Sequence, residues 1–314
     1  MADTVALRLQ ANLGDPKAQT ALAFAMLTDR RGPSETAAAV QLLNAAAAQK
    51  NTDALLLLAV LAAVGIGRSR KLDDAYRYVK EAAALGDKGA LGQLSVLGRD
   101  ELDKAPWTKP IHLIQQSESP RIFMVEDFIP KFVCDYLIKI ADKRRRPSTI
   151  YDAASATLIA DPARTSESAE FRALEPDLPT HLVSRRIASA VGLPILNHEG
   201  TSILRYARGQ EYRPHFDFIR PGAESEAFAA ELAVYGQRVA TALIYLNDDY
   251  EGGETAFPLI DKRFRGKAGD ALIFWNVTEA GELDRLTWHA GTPVTKGEKW
   301  LLSKWIREKA LPLF

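Results

Sequence analysis

A recurrence of 36 residues organises the first third of the chain. Ala18, Ala54 and Ala90 follow that interval, and so do Leu22, Leu58 and Leu94. The phrases GDPKAQTAL, KNTDALLLL and GDKGALGQL occupy equivalent places, and second helical stretches, roughly 34–49 and 72–85, fall between them. A period in the mid-thirties with small residues at fixed offsets predicts stacked helix pairs, because one pair cannot bury its apolar face alone and small side chains let helices approach. The recurrence stops near residue 98. Pro106, Pro110 and Pro120 then punctuate a polar stretch that reads as a linker. At roughly 150 residues per domain, the length predicts two domains. The expected bounds are 1–98 for the helical repeats, 99–120 for the linker and 121–314 for the second domain.

The first segment resembles Sel1-like repeats, close relatives of tetratricopeptide repeats. The resemblance implies a docking surface for a protein or peptide partner. The pattern itself equally admits an all-α extension that only supports the second domain. Forty Lys+Arg balance forty Asp+Glu, so bulk nucleic-acid binding has no compositional support. The single cysteine, Cys134, excludes an intrachain disulfide and a four-cysteine zinc site. The N-terminus MADTVALRLQ lacks a basic stretch followed by an apolar core, so it does not read as a secretory signal. No uncharged run reaches the ~18 residues of a membrane helix. A cytoplasmic protein with no membrane partner is expected.

From residue 121 the pattern changes to short runs separated by turn chemistry. Strands are expected at 121–128, 201–206, 212–218, 238–246, 254–257, 271–275, 288–294 and 299–307, with helices at 131–145 and 177–191. Many short strands without alternating helices argue for an antiparallel sandwich or barrel rather than a nucleotide-binding sheet.

Two of the five histidines sit in informative places. His215-Phe216-Asp217 falls in a strand candidate, where residues i and i+2 share a face. Imidazole and carboxylate should then point inward together, with Phe216 and Phe218 outward. His289 lies 74 residues later in another strand candidate. Two imidazoles and one carboxylate, with one face of the ion left open, form the ligand set of non-haem Fe(II) oxygenases. Along the last strand candidate Lys299, Leu301, Ser303 and Trp305 share a face. A lysine pointing into a barrel is costly unless an anion meets it, and Lys299 is well placed for the far carboxylate of a dicarboxylic acid. Lys296 and Lys304 fit an exposed role better.

The phrases LRYARGQEYRPHFD, RVATALIYLNDDYEGGETAFP, GDALIFW and WHAGTPVTKGEKWLLSKWIRE, with Arg164-Thr165-Ser166-Glu167-Ser168, resemble the catalytic domain of prolyl 4-hydroxylases. The resemblance covers about 190 of the 314 residues. It implies an α+β two-domain chain: an N-terminal α-helical repeat segment, then a double-stranded β-helix (jelly-roll) with flanking helices. It implies Fe(II) held by His215, Asp217 and His289, and 2-oxoglutarate as cosubstrate with its distal carboxylate on Lys299. Tyr206, Thr241 and Trp305 match family positions around that cosubstrate. The implied reaction consumes O2, hydroxylates a C–H bond and releases succinate and CO2, with ascorbate as a reductant some relatives use. A prolyl residue of a peptide or protein, docked by the repeats, is the leading substrate. A free amino acid or other small molecule, or an iron- and 2-oxoglutarate-sensing adaptor, are the alternatives. Residues 220–237 form an insertion that reads either as a lid or as a tolerated surface loop.

Overall fold

In the computed structural model, which describes residues 2–28, 33–152, 157–159, 162–220 and 226–311, the recurrence takes the form of a repeated helix cap. Asp15 accepts from the Ala18 N–H at 2.7 Å, Asn51 from Ala54 at 2.9 Å and Asp87 from Ala90 at 2.8 Å. Each satisfies an N–H that the first helical turn leaves without an intrahelical partner. The residue before each cap has a left-handed backbone: Gly14 at φ +93°, Lys50 at +64° and Gly86 at +87°. The caps start α2 (Pro16–Thr28), α4 (Thr52–Val64) and α6 (Lys88–Leu97), which alternate with α1 (Ala2–Asn12), α3 (Pro33–Ala48) and α5 (Leu72–Ala84). Helix α2 packs on α3 and α4 on α5. Helix α4 is buried from Ala54 to Ala63, which explains its uniformly apolar sequence.

Two compact units divide the chain. The helical unit runs to Thr108, through α7 (Ala105–Thr108), and also includes Arg172–Arg186. Gln93, 2% exposed, holds that later segment. Its side-chain amide donates to the Pro176 carbonyl at 2.9 Å and accepts from the Leu178 N–H at 2.9 Å.

The second unit comprises Lys109–Phe171 and Ile187–Leu311. Its first part holds β1 (Ile114–Ser117), β2 (Ile122–Val125), α8 (Lys131–Asp142), β3 (Arg146–Pro147), β4 (Ile150–Asp152), β5 (Thr157–Ile159) and β6 (Glu167–Phe171). Helix α9 (Leu178–Val191) leads into β7 (His198–Tyr206) and β8 (Tyr212–His215). Then come α10 (Glu226–Tyr235), β9 (Arg238–Tyr245), β10 (Glu251–Gly252), β11 (Thr255–Phe257), β12 (Lys262–Phe264) and β13 (Ala271–Trp275). The last strands are β14 (His289–Gly291), β15 (Val294–Lys296) and β16 (Lys299–Arg307).

An eight-stranded antiparallel sheet, ordered β1-β2-β13-β9-β16-β7-β6-β3, faces a four-stranded sheet ordered β12-β11-β14-β8. Leu204, Tyr245, Phe257, Leu272, Phe274 and Leu301 form the core of this jelly roll. The site lies between the sheets because β16, β9 and β7 turn alternate side chains inward.

Several local expectations differ from the structure. Residues 109–120, read as linker, contribute β1, which pairs with β2 inside the jelly-roll unit. The strand expected at 288–294 is two strands, because Pro293 has no N–H to continue the ladder. Lys304, expected at the surface, is 6% exposed. It sits on the central strand β16, both faces of which are covered, and its Nζ donates to Thr201 Oγ1 at 2.7 Å. Strand β8 ends at His215, so Asp217 lies on the bend that follows it. Phe218 is buried and stacks on Phe216 with ring centroids 4.4 Å apart.

Part of the insertion, residues 221–225, lies outside the described residues. What is described is anchored. Glu231 of α10 meets Arg307 at 3.2 Å, and the Gln237 amide makes two 2.7 Å bonds to the Ile219 backbone.

Candidate active site

Strands β8 and β14 pair so that His215 stands directly opposite His289. Each imidazole is fixed through its far nitrogen. His215 Nδ1 lies 2.9 Å from the Arg213 carbonyl, and His289 Nδ1 lies 2.8 Å from the Thr287 carbonyl. A carbonyl only accepts, so both Nδ1 atoms carry the proton and both Nε2 atoms are lone-pair donors. Those two atoms converge on one carboxylate: His215 Nε2 is 3.5 Å from Asp217 Oδ1 and His289 Nε2 is 3.6 Å from Oδ2. The ligand atoms of the three residues all lie within 4.8 Å of one another.

Electrostatics prepare the set for a cation. Burial opposes charge on Asp217, but His289, His215 and the Thr241 hydroxyl outweigh it and hold the carboxyl well below the usual carboxylate range. Burial and the neighbouring His215 push His289 down to about 4, so it is neutral at pH 7 and able to ligate. Two neutral nitrogens and one carboxylate fit a divalent iron ion and leave it with net positive charge. His215, Asp217 and His289 are thus the residues that would hold the metal.

The pocket over these residues is also lined by Arg164, Tyr206, Tyr212, Lys299, Ser303 and Trp305. Lys299 is 2% exposed, and burial, against the opposing pull of Glu254, pushes it down to about 7. Its Nζ donates to the Gly253 carbonyl at 2.7 Å and lies 5.5 Å from the Tyr206 ring centroid. Gly253, at φ +65°, makes this approach feasible: a Cβ there would lie 3.3 Å from Lys299 Cδ and 3.1 Å from Val294 Cγ2. Tyr206 is buried, which raises its pKa and keeps its hydroxyl protonated.

The structure brings six of the seven sequence-predicted site residues to this pocket: His215, Asp217, His289, Lys299, Tyr206 and Trp305. Thr241 differs. Its hydroxyl donates to Asp217 Oδ2 at 2.7 Å, so it orients the carboxylate instead of lining the pocket. Trp305 contributes to the wall with its ring 3.7 Å beneath the Arg238 guanidinium. Arg238 is held in turn by Glu199, at 2.7 and 3.0 Å. Burial opposes charge on Glu199, and Arg238 with Arg307 overcomes it. No local pattern announces this pair, whose members lie on different strands. Arg164 and Ser303 belong to phrases already singled out, and Tyr212, stacked 3.5 Å from His215, opens the same strand.

Residues 201–307 match the 2OG-Fe(II) oxygenase superfamily. Prolyl 4-hydroxylase 1 of Arabidopsis thaliana is 38% identical over 208 residues, covering 62% of this chain and 71% of that protein. A solved viral collagen prolyl hydroxylase from Paramecium Bursaria Chlorella virus-1, in complex with 2OG, is 27% identical and covers 59% of this chain and 95% of its own, with a TM-score of 0.45. A solved Sel1 repeat protein from Oxalobacter formigenes is 32% identical, covering 29% of this chain and 26% of its own, with a TM-score of 0.26. With its jelly roll and its 2OG-Fe(II) oxygenase segment, this chain is a 2-oxoglutarate-dependent dioxygenase that belongs to the prolyl 4-hydroxylase family.

Proposed function

We propose that this enzyme hydroxylates a prolyl residue of a peptide or protein. The observation that carries the reading is the meeting of the three ligand side chains with Lys299 in one pocket, in a chain 38% identical to a prolyl 4-hydroxylase. In this reading His215, Asp217 and His289 hold Fe(II). Lys299 receives the distal carboxylate of 2-oxoglutarate, with Tyr206 beside it. Bound iron, 2-oxoglutarate and dioxygen supply the oxidising power, placing one oxygen atom in the C–H bond and the other in succinate, with release of CO2.

The chain's own residues prepare and confine that chemistry. The Arg213 and Thr287 carbonyls fix the imidazole tautomers, and Thr241 fixes Asp217. Leu204, Leu243 and Leu301 give the pocket an apolar lining, which strengthens the charge interactions in it. Tyr212, stacked on His215 and covered by Arg164, and Trp305, covered by Arg238, are held as fixed walls of the pocket. The helical repeats present the protein target, and ascorbate restores iron oxidised in unproductive cycles.

The test is mass spectrometry of a proline-containing peptide pool after incubation with enzyme, Fe(II), 2-oxoglutarate and oxygen. Hydroxyproline formed by the wild type and absent with Asp217→Ala supports the proposal. Oxygen insertion only into free amino acids or other small molecules would transfer the activity to that class.

A further inference from the structure

We propose that Asn276 is a positioning residue that sets the direction of a hydrogen-bond relay ending on Asp217. The proposal rests on the reading that His215, Asp217 and His289 hold the metal. Asn276 follows β13 directly and is 0% exposed. Its main chain is pinned on both sides: its N–H donates to the Val239 carbonyl at 2.9 Å, and its carbonyl accepts from the Asp284 N–H at 3.0 Å. Its side-chain Nδ2 lies 3.1 Å from Thr241 Oγ1, which lies 2.7 Å from Asp217 Oδ2. Thr241 is likewise 0% exposed.

Proton counting fixes the polarity. An ionised carboxylate only accepts, so the single Thr241 hydroxyl hydrogen must lie between Oγ1 and Asp217. The remaining contact of Oγ1 must then come from a donor, and the Asn276 amide supplies one with Nδ2 turned toward Thr241. Asn276 thereby fills the acceptor side of Oγ1 and holds the hydroxyl in the rotamer that keeps its hydrogen on Asp217. Thr241 holds Oδ2, 3.6 Å from His289 Nε2, and so fixes the carboxylate plane and with it Oδ1, 3.5 Å from His215 Nε2. Asp217 sits on a bend beyond the end of β8, where no ladder holds it. The relay supplies the orientation that strand pairing gives His215 and His289.

Co(II) serves as the probe, with affinity read by calorimetry and ligand geometry by its visible absorption spectrum. Asn276→Leu keeps the branching pattern of the side chain and removes the donor, and should weaken Co(II) binding about tenfold and change the spectrum. Asn276→Asp places an acceptor against Thr241 and should weaken it more. Thr241→Val should cost at least as much as Asn276→Leu, and the double variant should be no weaker than Thr241→Val, because Asn276 acts only through that hydroxyl. Thr241→Ser keeps the relay and should retain affinity and spectrum, which holds the test open if the Asn276 variants fold poorly. Wild-type affinity and spectrum in Asn276→Leu, or additive losses in the double variant, would overturn the relay alone. A wild-type protein that binds no Co(II) would overturn it together with the metal site.

Discussion

Asp15, Asn51 and Asp87 cap three helices in the same way, each serving the N–H three residues on. Asp217 has no second copy, and neither does any group that touches it. In the repeat unit a polar side chain serves local geometry, and its neighbours in sequence suffice to explain it. In the jelly roll the useful contacts join distant positions, as His215 with His289 or Arg238 with Glu199. Stability is therefore spread over equivalent positions in one unit, while activity is concentrated in a few irreplaceable ones in the other.

The sharpest way to break this contrast is at the ligands. His215→Ala should reduce succinate formation to the uncatalysed background while the melting temperature stays close to wild type. Retained turnover would show that the convergent imidazoles are not the working set.

Next in size is the contrast between the two buried lysines of β16. Lys299→Met should weaken 2-oxoglutarate binding about 100-fold, the scale of losing one partner of a buried charge pair. Lys304→Met, on the opposite face, should leave that affinity unchanged. Calorimetric titration of both variants separates them.

The same lysine predicts a pH dependence. Burial holds Lys299 down to about 7 in the free protein. Pairing with a carboxylate needs the ammonium form, so binding above pH 7 takes up a proton. The affinity for 2-oxoglutarate should fall by up to about tenfold per pH unit there. For folding the sign is opposite: between about 7 and 10.5 the unfolded chain holds the extra proton, so this group's contribution to stability rises with pH. A pH-independent affinity would mean that Lys299 is already an ammonium in the free protein or that the carboxylate binds elsewhere, and Lys299→Met separates the two.

The smallest effects belong to the repeats. Asn51→Ala should cost about 1 kcal/mol of stability through its lost cap, with turnover per folded molecule unchanged. Lys50→Gly should add about 0.5 kcal/mol, because Lys50 takes the left-handed backbone that its equivalents Gly14 and Gly86 adopt without strain. Denaturant melts measure both.

The sequence made the repeat unit legible because its period is local, and it located β13 and β16 at their observed bounds. It made the candidate ligands legible through the spacing of His215 and Asp217 and the resemblance that implied His289 beside them, and Lys299 because period-2 alternation predicts its inward face. The alternation also misassigned Lys304, since a strand in the middle of a covered sheet buries both faces. Thr241 shows another limit: the resemblance implies a place beside the cosubstrate, but only the folded sheets reveal that its hydroxyl meets Asp217. Asn276 carried no signal at all, being one polar residue after an apolar strand. The segment Arg172–Arg186 joined the helical unit through Gln93, a contact across more than 80 residues that no periodicity encodes.

The central claim is that His215, Asp217, His289 and Lys299 act together as one iron and 2-oxoglutarate centre. Succinate release by the purified protein tests it most directly, measured with Fe(II), 2-oxoglutarate and oxygen, with and without a proline-containing peptide pool. The account predicts turnover that needs Fe(II), rises with the peptides, and vanishes in His215→Ala and Asp217→Ala. Equal succinate release by the wild type and both variants would contradict it.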